Sequence, residues 1–322
     1  PVSPFLTNGL LLVAGVAVLF FGAEWLVRGA ARLATALGVS PIVAGLTVVS
    51  LGTSAPELVV SLTAALRGNG DLAMGNVMGS NLANIGLILG LTALVRPMEV
   101  SARVVTREVP IMLLITLLVY PLALDLDLNR ADGMILLIVL GLYLLFVNRA
   151  ASEEPQEILG EYEAFARSET HLQKLSLGDL GLVLGGSVGL VLGGRAIVNS
   201  AEFLGPVLGV PDILMGLTVV AIGTSLPELA TSLVACVRDE ADIAVGNIIG
   251  SNIFNIAAIL GTTALVSPIA VSPDVLREEL PAVLILSFVV LPVTWNAFKV
   301  RRWEGAILLS GYVAIGVWLF RT

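Results

Sequence analysis

Glu57 and Glu228 are the residues in this chain whose type and setting could do chemistry. Glu57 closes the string Gly52-Thr53-Ser54-Ala55-Pro56-Glu57, and Glu228 closes Gly223-Thr224-Ser225-Leu226-Pro227-Glu228, 171 residues further on. Both strings lie inside apolar runs of bilayer length, where a carboxylate and a proline are costly, so an ionisable residue there is a functional candidate by default. Glycine loosens a helix, and proline withdraws an N–H while crowding the carbonyl four residues back. Backbone oxygens near Ser50 and Thr53, and near Ala221 in the second string, are therefore expected to be freed. Free carbonyls at membrane depth persist only where they line a cavity or meet a partner. Here they would lie beside Thr53, Ser54 and Glu57, with Thr224, Ser225 and Glu228 in the copy. A following segment adds Ser80 and Asn84, four apart and so on one helical face, and its copy adds Ser251 and Asn255.

Every one of these donors is an oxygen. An all-oxygen set with two carboxylates suits a hard cation such as Ca²⁺, whereas zinc or copper would call for His or Cys. The one histidine, His171, falls in a polar stretch, and the one cysteine, Cys236, has no partner for a disulfide or a thiolate metal site. Two glutamates neutralise one Ca²⁺ or two monovalent cations, so calcium and sodium could compete for the same carboxylates. Such competition is what an antiporter needs. The ions are cargo, and no cofactor is expected.

The elements that must hold these groups are membrane helices. With 322 residues, 57% hydrophobic and only 13% charged, and a mean hydropathy of +0.96, the chain is too apolar for a soluble domain and reads as an all-α polytopic membrane protein. Runs near the ~20 residues needed to cross hydrocarbon fall at roughly 9 to 27, 41 to 66, 72 to 95, 104 to 122 and 131 to 148. Five more fall at roughly 177 to 203, 212 to 237, 241 to 266, 275 to 293 and 304 to 320. No basic stretch precedes the first run, which is read as a spanning helix rather than a signal peptide. Ten transmembrane helices are expected.

The strongest pattern is an internal repeat. At a constant offset of 171, Gly22 matches Gly193, Gly45-Leu-Thr-Val-Val matches Gly216-Leu-Thr-Val-Val, Gly75-Asn76 matches Gly246-Asn247, Gly79-Ser80-Asn81 matches Gly250-Ser251-Asn252, and Pro110 matches Pro281. Each unit holds five helices, an odd number, so the second must enter the membrane from the opposite side. Two inverted five-helix repeats are the architecture of many secondary transporters, with the substrate site where the repeats meet. The expected division is 1–148 for the first repeat, 149–176 for an acidic cytoplasmic loop and 177–322 for the second. Within them 41–95 and 212–266 carry the repeated motifs.

Charge sets the orientation. Leaving out Arg195, inside the sixth run, an outside N-terminus puts twelve Lys and Arg in the cytoplasm, among them Arg28, Arg96, Arg103, Arg149 and Lys299. Only Arg67, Arg130, Arg277 and Arg321 remain outside. This positive-inside bias places both termini outside a cell or inner membrane. Six of the acids behind the net charge of −8 lie between Glu153 and Glu169, in the cytoplasmic connection.

Gly52-Thr-Ser-Ala-Pro-Glu-Leu with Gly75-Asn-Val-Met-Gly-Ser-Asn-Leu-Ala-Asn, and the second pair of strings beginning at Gly223 and Gly246, resemble the alpha-repeats of the cation/Ca²⁺ exchanger superfamily, nearest its prokaryotic sodium/calcium exchangers. The resemblance covers nearly the whole chain. It implies ten helices with outward termini and alternating access by sliding of the first and sixth helices against the rest. It further implies that Glu57 and Glu228 are the central carboxylates shared by Ca²⁺ and Na⁺, that Thr53 and Thr224 offer backbone carbonyls to calcium, and that Asn84 is the central amide ligand. The carbonyls of Ser50 and Ala221 with the hydroxyls of Ser54, Ser80, Ser225 and Ser251 would complete sodium sites. Asn255 departs from the pattern: some close relatives carry Asp there, and an amide removes one titratable group.

Each signal has a plainer reading. Gly75, Gly79, Gly86 and Gly90 suit close helix packing, and Asn76, Asn81, Asn247 and Asn252 suit interhelical hydrogen bonding. Asp71 and Asp242 suit helix N-termini, where the dipole favours negative charge. Glu24, Arg28 and Arg32 share a helical face and suit local pairing. The glycine-rich sixth run suits sliding or close packing, and bulky groups at Gly185 or Gly189 are expected to slow transport. The acidic loop lacks the alternating Asp/Asn pattern and turn glycine of an EF-hand. Three rival functions stand beside Na⁺/Ca²⁺ exchange. A Ca²⁺/H⁺ antiporter would use the same glutamates. An intramembrane hydrolase would need a general base that Ser54 and Ser225 lack, and a passive channel sits poorly with a closed inverted repeat. No basic patch supports nucleic-acid binding, the surrounding partner is the lipid bilayer, and nothing in the sequence points to a protein partner.

Overall fold

The structure, a computed structural model, describes residues 4–37, 39–152, 176–207, 223–295 and 298–319. It is almost wholly helical. Helix α1 is Pro4–Leu37. Helix α2 covers 41–53 and includes a π-turn at Gly45–Val49, and α3 is Ala55–Leu66. Helix α4 runs Gly70–Val95 through a π-turn at Ala83–Ile88. Helix α5 runs Val104–Leu122, opening on the π-turn Val104–Glu108, and α6 is Arg130–Ser152. In the second half α7 is Leu177–Val207 and α8 is Leu226–Val237. Helix α9 is Ala241–Val266 with a π-turn at Asn255–Leu260, α10 covers 275–295 and α11 is Arg302–Leu319.

Among the described residues, six helices are long and apolar enough to cross a membrane, and α2 with α3, bent by 46° at their junction, make a seventh if the pair is one span. The chain is a multi-pass membrane protein. That count is lower than the ten runs expected from the sequence. The run at 212–237 lies partly outside the described residues and is represented by α8. The runs at 275–293 and 304–320 are helical, but α10 opens on Arg277, Glu278 and Glu279 and α11 on Arg302 and Glu304, which shortens their apolar length. The acidic loop, expected over 149–176, lies outside the described residues from 153 to 175.

Structural devices recur with the sequence. Helices α3 and α8 occupy matching positions 171 apart, as do the π-turns that open α5 and α10. Gly68 and Asp239, also 171 apart, both turn with positive φ, +74° and +65°. Glycine takes that conformation freely, and a short polar Asp tolerates it. Past the interior prolines Pro121 of α5 and Pro292 of α10 the register slips by one residue. The next positive-φ pair is Leu126 and Phe298, at 63° and 50°. Two short antiparallel pairings then tie the halves together: β1, Met98–Glu99, with β4, Lys299–Val300, and β2, Asp127–Leu128, with β3, Ile269–Ala270.

The most extensive packing is between α1 and α7, and glycine makes it possible. An added Cβ at Gly22 would lie 2.8 Å from Leu190 N, one at Gly186 2.6 Å from Leu26 N, and one at Gly193 2.6 Å from Leu19 N. Backbones this close gain dispersion energy over a long seam without a hydrophobic drive between helices in lipid. Gly185 is less tightly packed: a Cβ there would meet only the Trp25 ring of α1, at 3.9 Å. Arg32 pairs with Asp179 across the same two helices. The pair sits unequally on the rest of the bundle. Helix α1 packs along α8, and Glu24 joins Arg28 of its own helix to Arg238 beyond α8. No comparable packing of α7 against α3 is found among the described residues. Phe20, Phe21, Leu10 and Val13 leave the outer face of α1 exposed and apolar, as a lipid-facing surface should be.

Candidate cation-binding site

Ser54 is where the second run breaks. Its φ of −80° and ψ of 7° leave the helical region, and Pro56 stands in the first turn of α3, where its missing N–H is least costly to the new helix. Pro56 has no N–H to return to the Gly52 carbonyl, so the expected interruption is present. Ser225 repeats the geometry at φ −87° and ψ 5° before Pro227. The glycines ahead of the breaks have a second use. A Cβ at Gly52 would lie 2.6 Å from Ser187 Oγ, and one at Gly223 2.5 Å from a Val198 methyl, so both let α7 approach the broken segments.

The breaks put Glu57 and Glu228 into the first turns of α3 and α8, where the helix N-terminus favours an anion. Each carboxylate is held by the serine of the other break. Ser54 Oγ donates to Glu228 Oε1 at 3.0 Å, and Ser225 Oγ donates to Glu57 Oε1 at 3.5 Å. Both glutamates are fully buried, and in both the second oxygen, Oε2, has no partner. Among the described residues no Arg or Lys pairs with either of them. Two uncompensated buried carboxylates are unfavourable unless something positive joins them. Glu108 supplies the contrast: it is equally buried, but Arg103 Nε stands 3.4 Å away and Tyr143 OH donates to it at 3.1 Å. Glu108 is a compensated structural charge, and the Glu57 and Glu228 pair is not.

Around the carboxylates lies a layer of amides and hydroxyls. Asn76 Nδ2 donates to the Glu57 carbonyl at 3.2 Å and to Ser61 Oγ at 2.9 Å. Asn247 Nδ2 repeats this with the Glu228 carbonyl at 3.4 Å and Ser232 Oγ at 3.0 Å. These bonds lock α3 to α4 and α8 to α9, so these two asparagines are the interhelical glue expected of them. Ser61 and Ser232 went unnoticed in the sequence, although each lies four residues beyond its glutamate and they are 171 apart. Thr53 Oγ1 lies 3.1 Å from Asn247 Oδ1, 3.3 Å from the Ser50 carbonyl and 3.5 Å from Ser251 Oγ, which ties α2 to α9.

The remaining candidates divide. Ser80, Ser251, Asn84 and Asn255 are buried. Asn84 has no partner for either amide atom, and Asn255 Oδ1 has none. The π-turns on which these two asparagines sit pack against α8 and α3 respectively, the helices of Glu228 and Glu57. Thr224 is partly buried in the second break. The Ser50 carbonyl already accepts from Ser54 N at 3.0 Å and from the Thr53 hydroxyl, while Ser50 Oγ bonds the Gly45 and Asn247 carbonyls. Ala221 lies outside the described residues. Among those residues no group of three Asp, Glu, His or Cys side chains is placed to hold a metal ion, so a cation here would meet two carboxylates and otherwise neutral oxygens. Asp71 and Asp242 sit in the first turns of α4 and α9, away from the site, as expected.

Comparison with known proteins bears on the family of the chain. A family described as "Sodium/calcium exchanger protein" matches residues 7–148 and 179–321. The chain is similar to the inner membrane protein YrbG of Escherichia coli, 38% identical over 314 residues that cover 96% of this chain and 94% of the relative. It is 37% identical to the putative antiporter CaxA of Alkalimonas amylolytica over 97% and 98% of the two chains. It is 32% identical to the sodium/calcium exchanger MaX1 of Methanosarcina acetivorans, again over 97% and 98%. Among solved structures, the sodium-calcium exchanger NCX_Mj soaked with 2.5 mM Na⁺ and 10 mM Sr²⁺ superposes with a TM-score of 0.81 at 29% identity, covering 96% of this chain and 98% of that one.

Proposed function

The chain belongs to the sodium/calcium exchanger protein family, and we propose that within it the chain works as an antiporter, exchanging Na⁺ for Ca²⁺ across a membrane by alternating access. In the cell this would normally be calcium export driven by sodium entry. The observation that carries the reading is the pair Glu57 and Glu228: buried, uncompensated, each with one oxygen held by the opposite serine and one left free. Two such carboxylates are satisfied by one Ca²⁺ or by two Na⁺ but not by both loads together, so one ion must displace the other.

Thr53, Thr224, Ser54, Ser225, Ser80, Ser251, Asn84 and Asn255, with carbonyl oxygens at Ser50 and Ala221, complete the proposed ligand set. Six to eight oxygens around Ca²⁺ can be drawn from it without His or Cys. The proposed architecture is ten helices in two inverted repeats, 1–148 and 177–322, joined by a cytoplasmic loop at 149–176, with both termini outside. The matched positions of α3 and α8, of the π-turns and of the positive-φ turns support it. Alternating access then amounts to exchanging the roles of the halves. Helix α1 packs along α8, with no comparable packing of α7 on α3 among the described residues, and the opposite state would reverse that. The glycine seam lets α1 and α7 move as one body.

The test is ⁴⁵Ca²⁺ uptake into proteoliposomes loaded with sodium and diluted into sodium-free, sodium-matched or pH-jumped buffer. Uptake that requires the outward sodium gradient supports the reading. Uptake that follows only the proton gradient would make this a Ca²⁺/H⁺ antiporter on the same glutamates, and uptake indifferent to any opposing gradient would make it a channel.

A further inference from the structure

Asn81 and Asn252 occupy repeat-related positions three residues before Asn84 and Asn255, yet their side chains are used differently. Asn255 Nδ2 donates to Asn81 Oδ1 at 3.0 Å, and Asn81 Nδ2 reaches the Asn252 carbonyl at 3.4 Å. The matching bridge in the other half is not made. Asn252 Nδ2 turns to the Ile248 carbonyl of its own helix at 2.7 Å, and the atoms that would close the bridge, Asn84 Nδ2 and Asn252 Oδ1, are both buried without partners.

The made bridge admits one arrangement of amides. A carbonyl oxygen only accepts, so the Asn252 carbonyl requires the NH₂ group of Asn81 and turns Asn81 Oδ1 toward Asn255. Asn81 Oδ1 in turn only accepts, so Asn255 must present Nδ2 to it. What remains of Asn255 is Oδ1, buried, without a partner, on a π-turn packed against the helix of Glu57.

We infer that Asn81 is a positioning residue for the cation site: through the relay Asn252 carbonyl to Asn81 to Asn255 it holds the Asn255 amide with its oxygen, not its NH₂, available to the ion. This rests on the reading of Asn255 as a cation ligand given above. Asn252 has no equivalent duty, because its side chain is spent inside its own helix. The two asparagines of the repeated Gly-Ser-Asn strings are therefore unequal in function although the sequence makes them identical. An unconstrained amide would present its NH₂ to a cation in half of its orientations and would lose the fixed aim of its oxygen in the rest, and loss of a ligand's supporting hydrogen bonds typically costs about 10- to 100-fold in metal affinity.

The experiment is equilibrium ⁴⁵Ca²⁺ binding to the purified full chain in detergent, alongside turnover in proteoliposomes, for Asn81→Ala, Asn255→Ala, the double variant and Asn252→Ala. Asn81→Leu, close in volume, replaces Asn81→Ala if the smaller residue fails to give a folded, monodisperse protein. Asn81→Ala is expected to raise the calcium Kd about tenfold, with turnover at saturating calcium within about twofold of the parent. It should raise the Kd no further once Asn255 is alanine, since two residues acting through one contact are not additive. Asn252→Ala should leave the Kd within about twofold of the parent. If Asn81→Ala has no effect, or adds its full factor to Asn255→Ala, or is matched by Asn252→Ala, the positioning role is overturned while the site stands. If Asn255→Ala itself leaves the Kd unchanged, the ligand reading beneath the inference fails.

Discussion

Ser54 and Glu228, 174 positions apart in sequence, are joined by a hydrogen bond of 3.0 Å, and its repeat-related twin from Ser225 to Glu57 is 3.5 Å long. The first lies at the long end of the O–H···O range and the second beyond it. Hydrogen bonds to charged groups contribute roughly 1.5 to 3 kcal/mol. Ser54→Ala is therefore expected to shift the calcium Kd by about tenfold or more and Ser225→Ala by clearly less. Equilibrium ⁴⁵Ca²⁺ binding to both variants checks the order, and equal effects would mean that the two serines are equivalent in the binding state.

Glu57→Gln and Glu228→Gln are each expected to abolish calcium transport, because a single remaining carboxylate leaves the divalent ion half-compensated. The same substitutions remove an uncompensated buried charge, so the cation-free protein should melt higher than the parent. Thermal unfolding in chelator and sodium-free buffer reads this directly. Retained transport in either variant contradicts the shared-carboxylate account, and a lower melting temperature contradicts the claim that the pair is uncompensated.

Valine at Gly186 or Gly193 would drive a methyl-bearing carbon into the Leu26 or Leu19 backbone, each 2.6 Å from the added Cβ, whereas Gly185 has room. Overpacking of this kind costs about 1 to 3 kcal/mol. Gly186→Val and Gly193→Val are expected to slow exchange at saturating calcium, and Gly185→Val is expected to be near parental. Turnover measured on the three variants at matched expression decides it, and a Gly185→Val defect as large as the others would remove the α1 and α7 seam from the mechanism.

Glu240, in the turn between α8 and α9, has its carboxyl pushed above the usual carboxylate range by burial first and then by Asp242 and Asp239. A folded-state value above the unfolded one favours the folded state below the unfolded pKa of about 4.3. That contribution is lost as pH rises through the folded value. At neutral pH the ionised group opposes folding, so Glu240→Gln is expected to raise the melting temperature there and to have little effect near pH 4. A lower melting temperature at pH 7 would show that the carboxylate is instead a useful cap for α9.

Most of the candidate site was legible in the sequence because its parts are expensive in lipid. Glu57, Pro56 and their copies stand out against an apolar background, and the offset of 171 links them without any structure. The unequal use of the halves was not legible. Asn81 and Asn252 are the same residue in the same string, and only packing shows that one bridges to a neighbouring helix while the other folds back on its own. The choice between Gly185 and Gly186 was likewise hidden, since helical phase along a run with this many glycines has no side chains to mark it. The number of spans was blurred by the charged first turns of α10 and α11, which sequence hydropathy over the full runs had averaged away.

Displacement of bound ⁴⁵Ca²⁺ by sodium at constant pH, on the purified chain in detergent, tests the central claim most directly. Sodium is expected to displace all of the calcium with a curve steeper than one sodium per calcium, and Glu57→Gln and Glu228→Gln are expected to show no specific calcium binding. Calcium that stays bound in saturating sodium and leaves only on acidification would contradict that claim.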